Sequence, residues 1–316
     1  MLTNQVINWL LVINNQPPFT NQLINQPAFA NQLFYVSLQP NVEVMLQKTF
    51  SIYADNLDDC RLFIEAGSHH IACWCKDAET GAAKAFEFFQ FDEGPGNGID
   101  NILKEVRLHS RLMDLPLTPD AVIWDTEEVL YIPAVFYKEQ LAPEYLSMMF
   151  GEAETNEVLA QQSGDYVILS RQQAAYITTF KAHFAVTTFS HKFFGLLQQY
   201  MKDAEQAGAN QLHVIFYPSH FILTALKDKK LQVMRSINYS TAEDALYSII
   251  HICNEYGMPL NTTAITASGL IDTSSNLYNT LYSYLETFTL QKSESVVFGA
   301  EGFAEYPAHF FLPFIQ

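Results

Sequence analysis

The stretch SHHIACWCKD, residues 68 to 77, gathers His69, His70, Cys73 and Cys75 within seven positions. Imidazole and thiolate are the donors of zinc sites, and together they also make nucleophile–base pairs. The spacing speaks against both. On a strand, residues two apart share a face and step by about 6.6 Å. His69, Ile71, Cys73 and Cys75 then lie along one face, and His70, Ala72 and Trp74 along the other. Three successive same-face side chains cannot close on one ion at bonds of about 2.0–2.3 Å. The cysteines read as packing residues, because a free buried Cys behaves as a small hydrophobe. His183, His191, His251 and His309 form no ligand spacing and read as structural.

Bulk composition removes other chemistries. The chain has 316 residues, 49% of them hydrophobic, with a net charge of −17. Phosphate backbones are neutralised by clustered Lys and Arg, and the densest cluster here is KDKK at 227–230. Nucleic acid is therefore excluded as a partner, and anionic membrane surfaces are disfavoured. Four cysteines in a chain of this length do not make a disulfide framework. No apolar run is long enough to span a bilayer, and the early VINWLLVI run lacks a preceding basic residue. A cytoplasmic protein without membrane insertion is expected. Residues 1–44 repeat Asn-Gln with prolines and read as a low-complexity leader, disordered or upstream of a natural start at Met45.

An internal duplication organises the rest of the chain. SHHIACWCKD at 68–77 matches SHFILTALKD at 219–228 in five of ten positions. Each is preceded by an apolar strand, RLFIEAG or QLHVIFYP, and followed by another, AKAFEFFQF or LQVMRSINY. A helix comes next in each copy. In the first, GIDNILKEVRLHSRLM, apolar residues fall at Ile99, Ile102, Leu103 and Val106. In the second, Thr241 and Asp244 predict a capping box, and Gly257 a left-handed stop. Each helix leads to a further strand, AVIW at 121–124 or TAITA at 263–267. The pattern is β-β-β-α-β twice. Matching the strings letter for letter sets Thr224 and Leu226 where Cys73 and Cys75 stand. Helices are also expected over 171–184, 191–206 and 274–288, with strands at DYVILS and SVVFG.

The succession resembles the actin-like ATPase fold, an α/β architecture of two duplicated ribonuclease-H-like domains. More closely, it is similar to the uncharacterised bacterial family called domain of unknown function 3822. LQVMRSINYSTAEDALYSIIHICNEYG and ASGLIDTSSNLYNTLYSYL carry the likeness. The resemblance implies a first domain over 45–210, a second over 211–292, and an aromatic tail over 293–316. That tail could dock on a partner or on the protein's own surface.

The resemblance also implies a nucleotide cleft for ATP and magnesium. Glu65, Gly67 and Ser68 fall on the family's Asp-x-Gly-Ser/Thr phosphate loop, with His69 and His70 replacing small residues. Tyr217 and Pro218 fall where a second acidic residue and glycine belong, and proline has no N–H for a phosphate. Ser268 and Gly269 resemble the adenosine-side glycine turn. No catalytic residue and no metal ligand is assigned. The expected function is a non-catalytic or weakly nucleotide-binding scaffold acting through protein partners. The alternative is an ATP-binding or ATP-hydrolysing switch with an altered site. A two-metal nuclease is rejected, since Glu65 lacks companion carboxylates in the sequence pattern.

Overall fold

The computed structural model describes residues 46–91, 98–153, 155–204, 210–292 and 296–315; the leader reading of 1–44 lies outside them. The first half opens with β1 (Leu46–Tyr53), then an antiparallel meander of β2 (Cys60–Gly67), β3 (His70–Asp77) and β4 (Ala83–Phe91). α1 (Ile99–His109) crosses to β5 (Ala121–Asp125), parallel to β2. A separate small layer comes next, of β6 (Val129–Pro133), α2 (Ala142–Phe150), β7 (Asn156–Ser163) and β8 (Tyr166–Gln173). α3 (Ala174–Phe184), β9 (Phe189–His191) and α4 (Lys192–Ala204) complete this half. The second half runs β10 (Asn210–Phe216), β11 (His220–Lys227), β12 (Lys230–Asn238), α5 (Ala242–Glu255), β13 (Ala264–Gly269), α6 (Asn276–Tyr284) and β14 (Phe288–Leu290). A final turn of helix, α7 (Leu312–Ile315), lies beyond it.

The expected β-β-β-α-β succession occurs twice. One sheet has the order β1-β4-β3-β2-β5-β9, the other β12-β11-β10-β13-β14. Apart from β1, the two sheets match strand for strand. The local signals explain the helices. Thr241 accepts from the Asp244 N–H at 3.1 Å and Asp244 accepts from the Thr241 N–H at 2.9 Å, closing the capping box. Gly257, at φ +58°, ends α5, and the Met258 N–H bonds back to the Cys253 carbonyl at 2.8 Å. All four predicted apolar residues of α1 are buried.

Three boundaries differ from expectation. α1 stops at His109 because the Ser110 hydroxyl turns to the buried Glu87 carboxylate at 2.5 Å, where Lys48 and the Arg111 N–H also bond at 2.9 Å. Arg171–Gln173 extend β8 and not the following helix, because Arg171 pairs Glu128 and the Phe150 and Gly151 carbonyls. The helix expected to reach 288 ends at Tyr284, and Phe288 begins a strand paired with Ile265. In the SVVFG stretch, Phe298 makes a single parallel bridge to Ala83.

The repeats are also out of step by one residue. Gly67–His70 and Tyr217–His220 close two-residue hairpins, as the pairings Ala66 with Ile71 and Phe216 with Phe221 show. His70 therefore matches His220, and Tyr217 matches Gly67. The His69 carbonyl accepts from the Phe91 N–H at 3.0 Å, as the Ser219 carbonyl does from the Tyr239 N–H at 3.1 Å. The counterparts of Cys73 and Cys75 are Leu223 and Ala225, not Thr224 and Leu226. The slip is absorbed at the next turn. Lys227 pairs Lys230 across Asp228 and Lys229, both at positive φ as a tight type I′ hairpin requires, while Lys76 pairs Ala83 across a longer loop.

Ile71, Cys73 and Cys75 pack under α1 and α3, whereas Ala72 and Trp74 face a central core shared by both halves. Phe50, Phe86 and Phe88 enter that core from the first sheet, and Ile215, Tyr217 and Ile222 from the second. Phe303, Phe310, Phe311, Phe314 and Ile315 of the aromatic tail fill it.

Candidate functional site

In parallel sheets the carboxyl ends of strands collect functional groups. Here β2, β5 and β9 lie side by side and end together, with Gly67 opposite Asp125 and Trp124 opposite His191. They deliver Glu65, Asp125 and Lys192 to one place. Lys192 is the first residue of α4, where the helix dipole disfavours a cation. It is held there because its ammonium donates to Glu65 Oε2 and to the Pro313 carbonyl, the latter at 2.7 Å. The second half contributes Tyr217 and His220, on either side of the Pro218–Ser219 turn.

The result is a buried polar cluster between the halves. Glu65 is fully buried, and its Oε1 accepts from the Tyr217 hydroxyl at 2.8 Å and from His70 Nε2 at 3.1 Å. His220 Nε2 donates to Asp125 Oδ2 at 2.9 Å, with His70 Nε2 4.0 Å from the same oxygen. The histidine rings lie 6.2 Å apart, and Tyr217 stacks on His220 at 4.6 Å and lies tilted against His70 at 4.8 Å. Phe314 closes the cluster, 4.9 Å from the Lys192 ammonium and edge-on to Tyr217.

Charge keeps both carboxylates ionised. Burial alone raises the Glu65 pKa, but Lys192 and His70 outweigh it, and the net shift is downward. For Asp125, burial is likewise outweighed by His220, His70 and Lys192. Burial pushes the His220 pKa down, yet Asp125 beside it leaves the net shift upward. Tyr217 is held protonated by burial and by the Glu65 charge. His191 differs: burial lowers it to about 4, against the pull of Asp125. Its Nε2 donates to the Thr126 carbonyl at 3.1 Å, and its Nδ1 accepts from the Phe193 N–H at 3.1 Å.

The residues singled out from the sequence are distributed unevenly. Glu65 is at the centre. Gly67 stands over the His70 ring, where an added Cβ would lie 2.3 Å from the imidazole. Ser68 is exposed on the turn. Ser268 and Gly269 end β13, one strand over. Ser268 is buried beside Ile215, and Gly269, at φ +80°, leaves only 2.3 Å between a Cβ and the Phe216 carbonyl. Asp125, Lys192 and His220 were not singled out. The Asp that closes the apolar run AVIWD was the one readable signal, since it ends a strand parallel to the one bearing Glu65.

A family described as protein of unknown function, DUF3822, matches residues 47–288. The chain belongs to this family. The mixed α/β architecture is the actin-like ATPase fold. A Bacteroides thetaiotaomicron protein of that fold and of unknown function superposes with a TM-score of 0.63 at 12% identity, over 74% of this chain and 91% of that one. A PilM–PilN type IV pilus biogenesis complex matches at a TM-score of 0.49 and 13% identity, over 81% of this chain and 97% of that one. An AlfA filament bound to AMPPNP reaches 0.36 at 8% identity, over 74% and 90%. No curated protein matches. Among the described residues, no helix of this family member is long and apolar enough to cross a membrane.

Proposed function

We propose that this protein is a non-catalytic or weakly nucleotide-binding scaffold of the actin-like fold that acts through protein partners. The observation that carries the reading is the Tyr217 hydroxyl on Glu65 at 2.8 Å. Tyr217 takes the place that Gly67 holds in the other half, and it fills the space between the hairpin turns where the actin-like resemblance puts phosphate. Glu65 is the carboxylate that resemblance assigns to the metal–nucleotide complex, and its oxygens are engaged by Lys192, His70 and Tyr217. Pro218 offers no N–H to an anion. Partner binding is supported by Tyr247, Tyr282 and Tyr284, which are 70%, 62% and 68% exposed on and beside the helices of the second half. Exposed tyrosines are a recurrent feature of interfaces.

The test is a thermal melt of the full chain with millimolar Mg-ATP. Absence of a shift supports the scaffold. A large shift that Gly67→Arg abolishes overturns it in favour of an ATP-dependent switch.

A further inference from the structure

His70 and His220 occupy matching positions of the two hairpins and converge on the same pair of carboxylates. Glu65, His70 and Asp125 each offer a donor atom, all within 4.8 Å of one another and all buried. Tetrahedral coordination at about 2.0–2.1 Å sets neighbouring donors roughly 3.3 Å apart. His70 Nε2 already lies 3.1 Å from Glu65 Oε1 and 4.0 Å from Asp125 Oδ2. Closing the set on one ion brings the Glu65 and Asp125 donors, which lie within 4.8 Å of one another, to about that tetrahedral spacing. Two carboxylates and two imidazoles meet here beside one ammonium, that of Lys192, so anionic oxygen and imidazole nitrogen donors are held together.

We propose that this cluster is a binding site for a divalent first-row transition metal of the zinc type, ligated by Glu65, His70 and Asp125. The donor chemistry selects the class. Magnesium and calcium take all-oxygen shells, whereas an imidazole with carboxylates suits zinc and its neighbours. His220 orients the Asp125 carboxylate, as hydrogen-bonded partners of metal ligands commonly do. Phe88 stacks on the His70 ring at 5.3 Å and the Tyr217 ring lies 4.8 Å from it, fixing the imidazole among aromatic rings. A cavity of ≈ 390 Å³ lined by His69, His70, Gln90, Pro218 and Ser219 lies beside the two hairpin turns, with His70 as the cluster residue that borders it. The inference goes beyond the scaffold reading and does not depend on it, since neither nucleotide nor magnesium takes part.

The test uses the full chain without nucleotide. Protein is equilibrated with zinc, dialysed and analysed for bound metal; cobalt(II), titrated separately, is followed by its visible d–d absorption. About one equivalent is expected, as a single three-residue site implies. Affinity is expected to fall more than tenfold in His70→Gln and in Asp125→Asn, about 10–100-fold in His220→Gln, and not at all in His251→Gln, which alters an exposed histidine. Dialysed wild-type protein that holds no metal and gives no cobalt spectrum overturns the proposal, whatever the variants do. So does equal affinity in a His70→Gln protein shown by circular dichroism to be folded.

Discussion

Tyr217 and Glu65 lie 152 residues apart and meet at 2.8 Å, the hydroxyl of one half donating to the carboxylate of the other. Both are fully buried, so the bond has no solvent substitute. Tyr217→Phe keeps the ring against both histidines and removes only the donor. A hydrogen bond to a buried charge is worth about 1.5–3 kcal/mol. Urea denaturation should show a loss of that size. An unchanged midpoint would mean that Glu65 finds another donor.

Lys192 matters more, because it is the formal counter-ion of Glu65. Removing one member of a buried pair costs about 3–5 kcal/mol through the charge left behind. Lys192→Met is expected to fall in that range. The double variant Glu65→Gln/Lys192→Met should be less destabilised than the sum of the single changes, and a double-mutant cycle measures the difference. Additive losses would show that the two side chains act separately.

The glycines give a graded expectation. Gly269→Ala places a Cβ 2.3 Å from a backbone carbonyl at φ +80°, where neither neighbour can yield. Strain and overpacking together predict a loss of about 2–5 kcal/mol. Gly67→Ala meets a side chain instead, the His70 ring at 2.3 Å, and the ring can rotate at the expense of its Glu65 contact. A smaller loss, about 1–3 kcal/mol, is expected. Chemical denaturation of both variants decides the order.

Acid should act in part through His191, alongside His213, whose pKa burial also lowers to about 4. The folded-state pKa of His191 is lowered to about 4, from an ordinary value near 6.5. Stability from a depressed group is full above the unfolded pKa and drains as pH falls toward the folded one. Between pH 7 and pH 5, wild type should lose about 2 kcal/mol more than His191→Gln does. Protonation at Nδ1 also removes the acceptor of the Phe193 N–H. Parallel pH profiles would place the acid sensitivity elsewhere.

Legibility tracked the range of the interaction. Thr241, Asp244 and Gly257 act within one helix, and their spacing announced α5 and both its ends. The buried faces of β3 came from alternation alone, which placed Cys73 and Cys75 opposite Trp74. The small layer over 129–173 carried little local signal, because β7 is largely exposed and its pattern is set by β8. The cluster around Glu65 was hardest to read. Lys192 is 127 residues from its partner, and no periodicity connects an ammonium at one helix start to a carboxylate two residues inside a distant strand. Letter matching also misled. Ser-His aligns His69 with His220, whereas the hydrogen bonds align His70 with it.

That single-residue offset bears on exchange between the halves. Strand side chains alternate faces, so a shift of one turns every side chain over. A chimera that replaced 68–77 with 219–228 by matching letters would aim Thr224 and Leu226 at α1, where Cys73 and Cys75 now sit. It would also set Leu223 and Ala225 against the central core, in the places of Ala72 and Trp74. A graft cut by hydrogen-bond register would keep the faces and lose the sequence identity. The two copies have become heirs with separate estates: alike in plan, they can no longer lend each other parts.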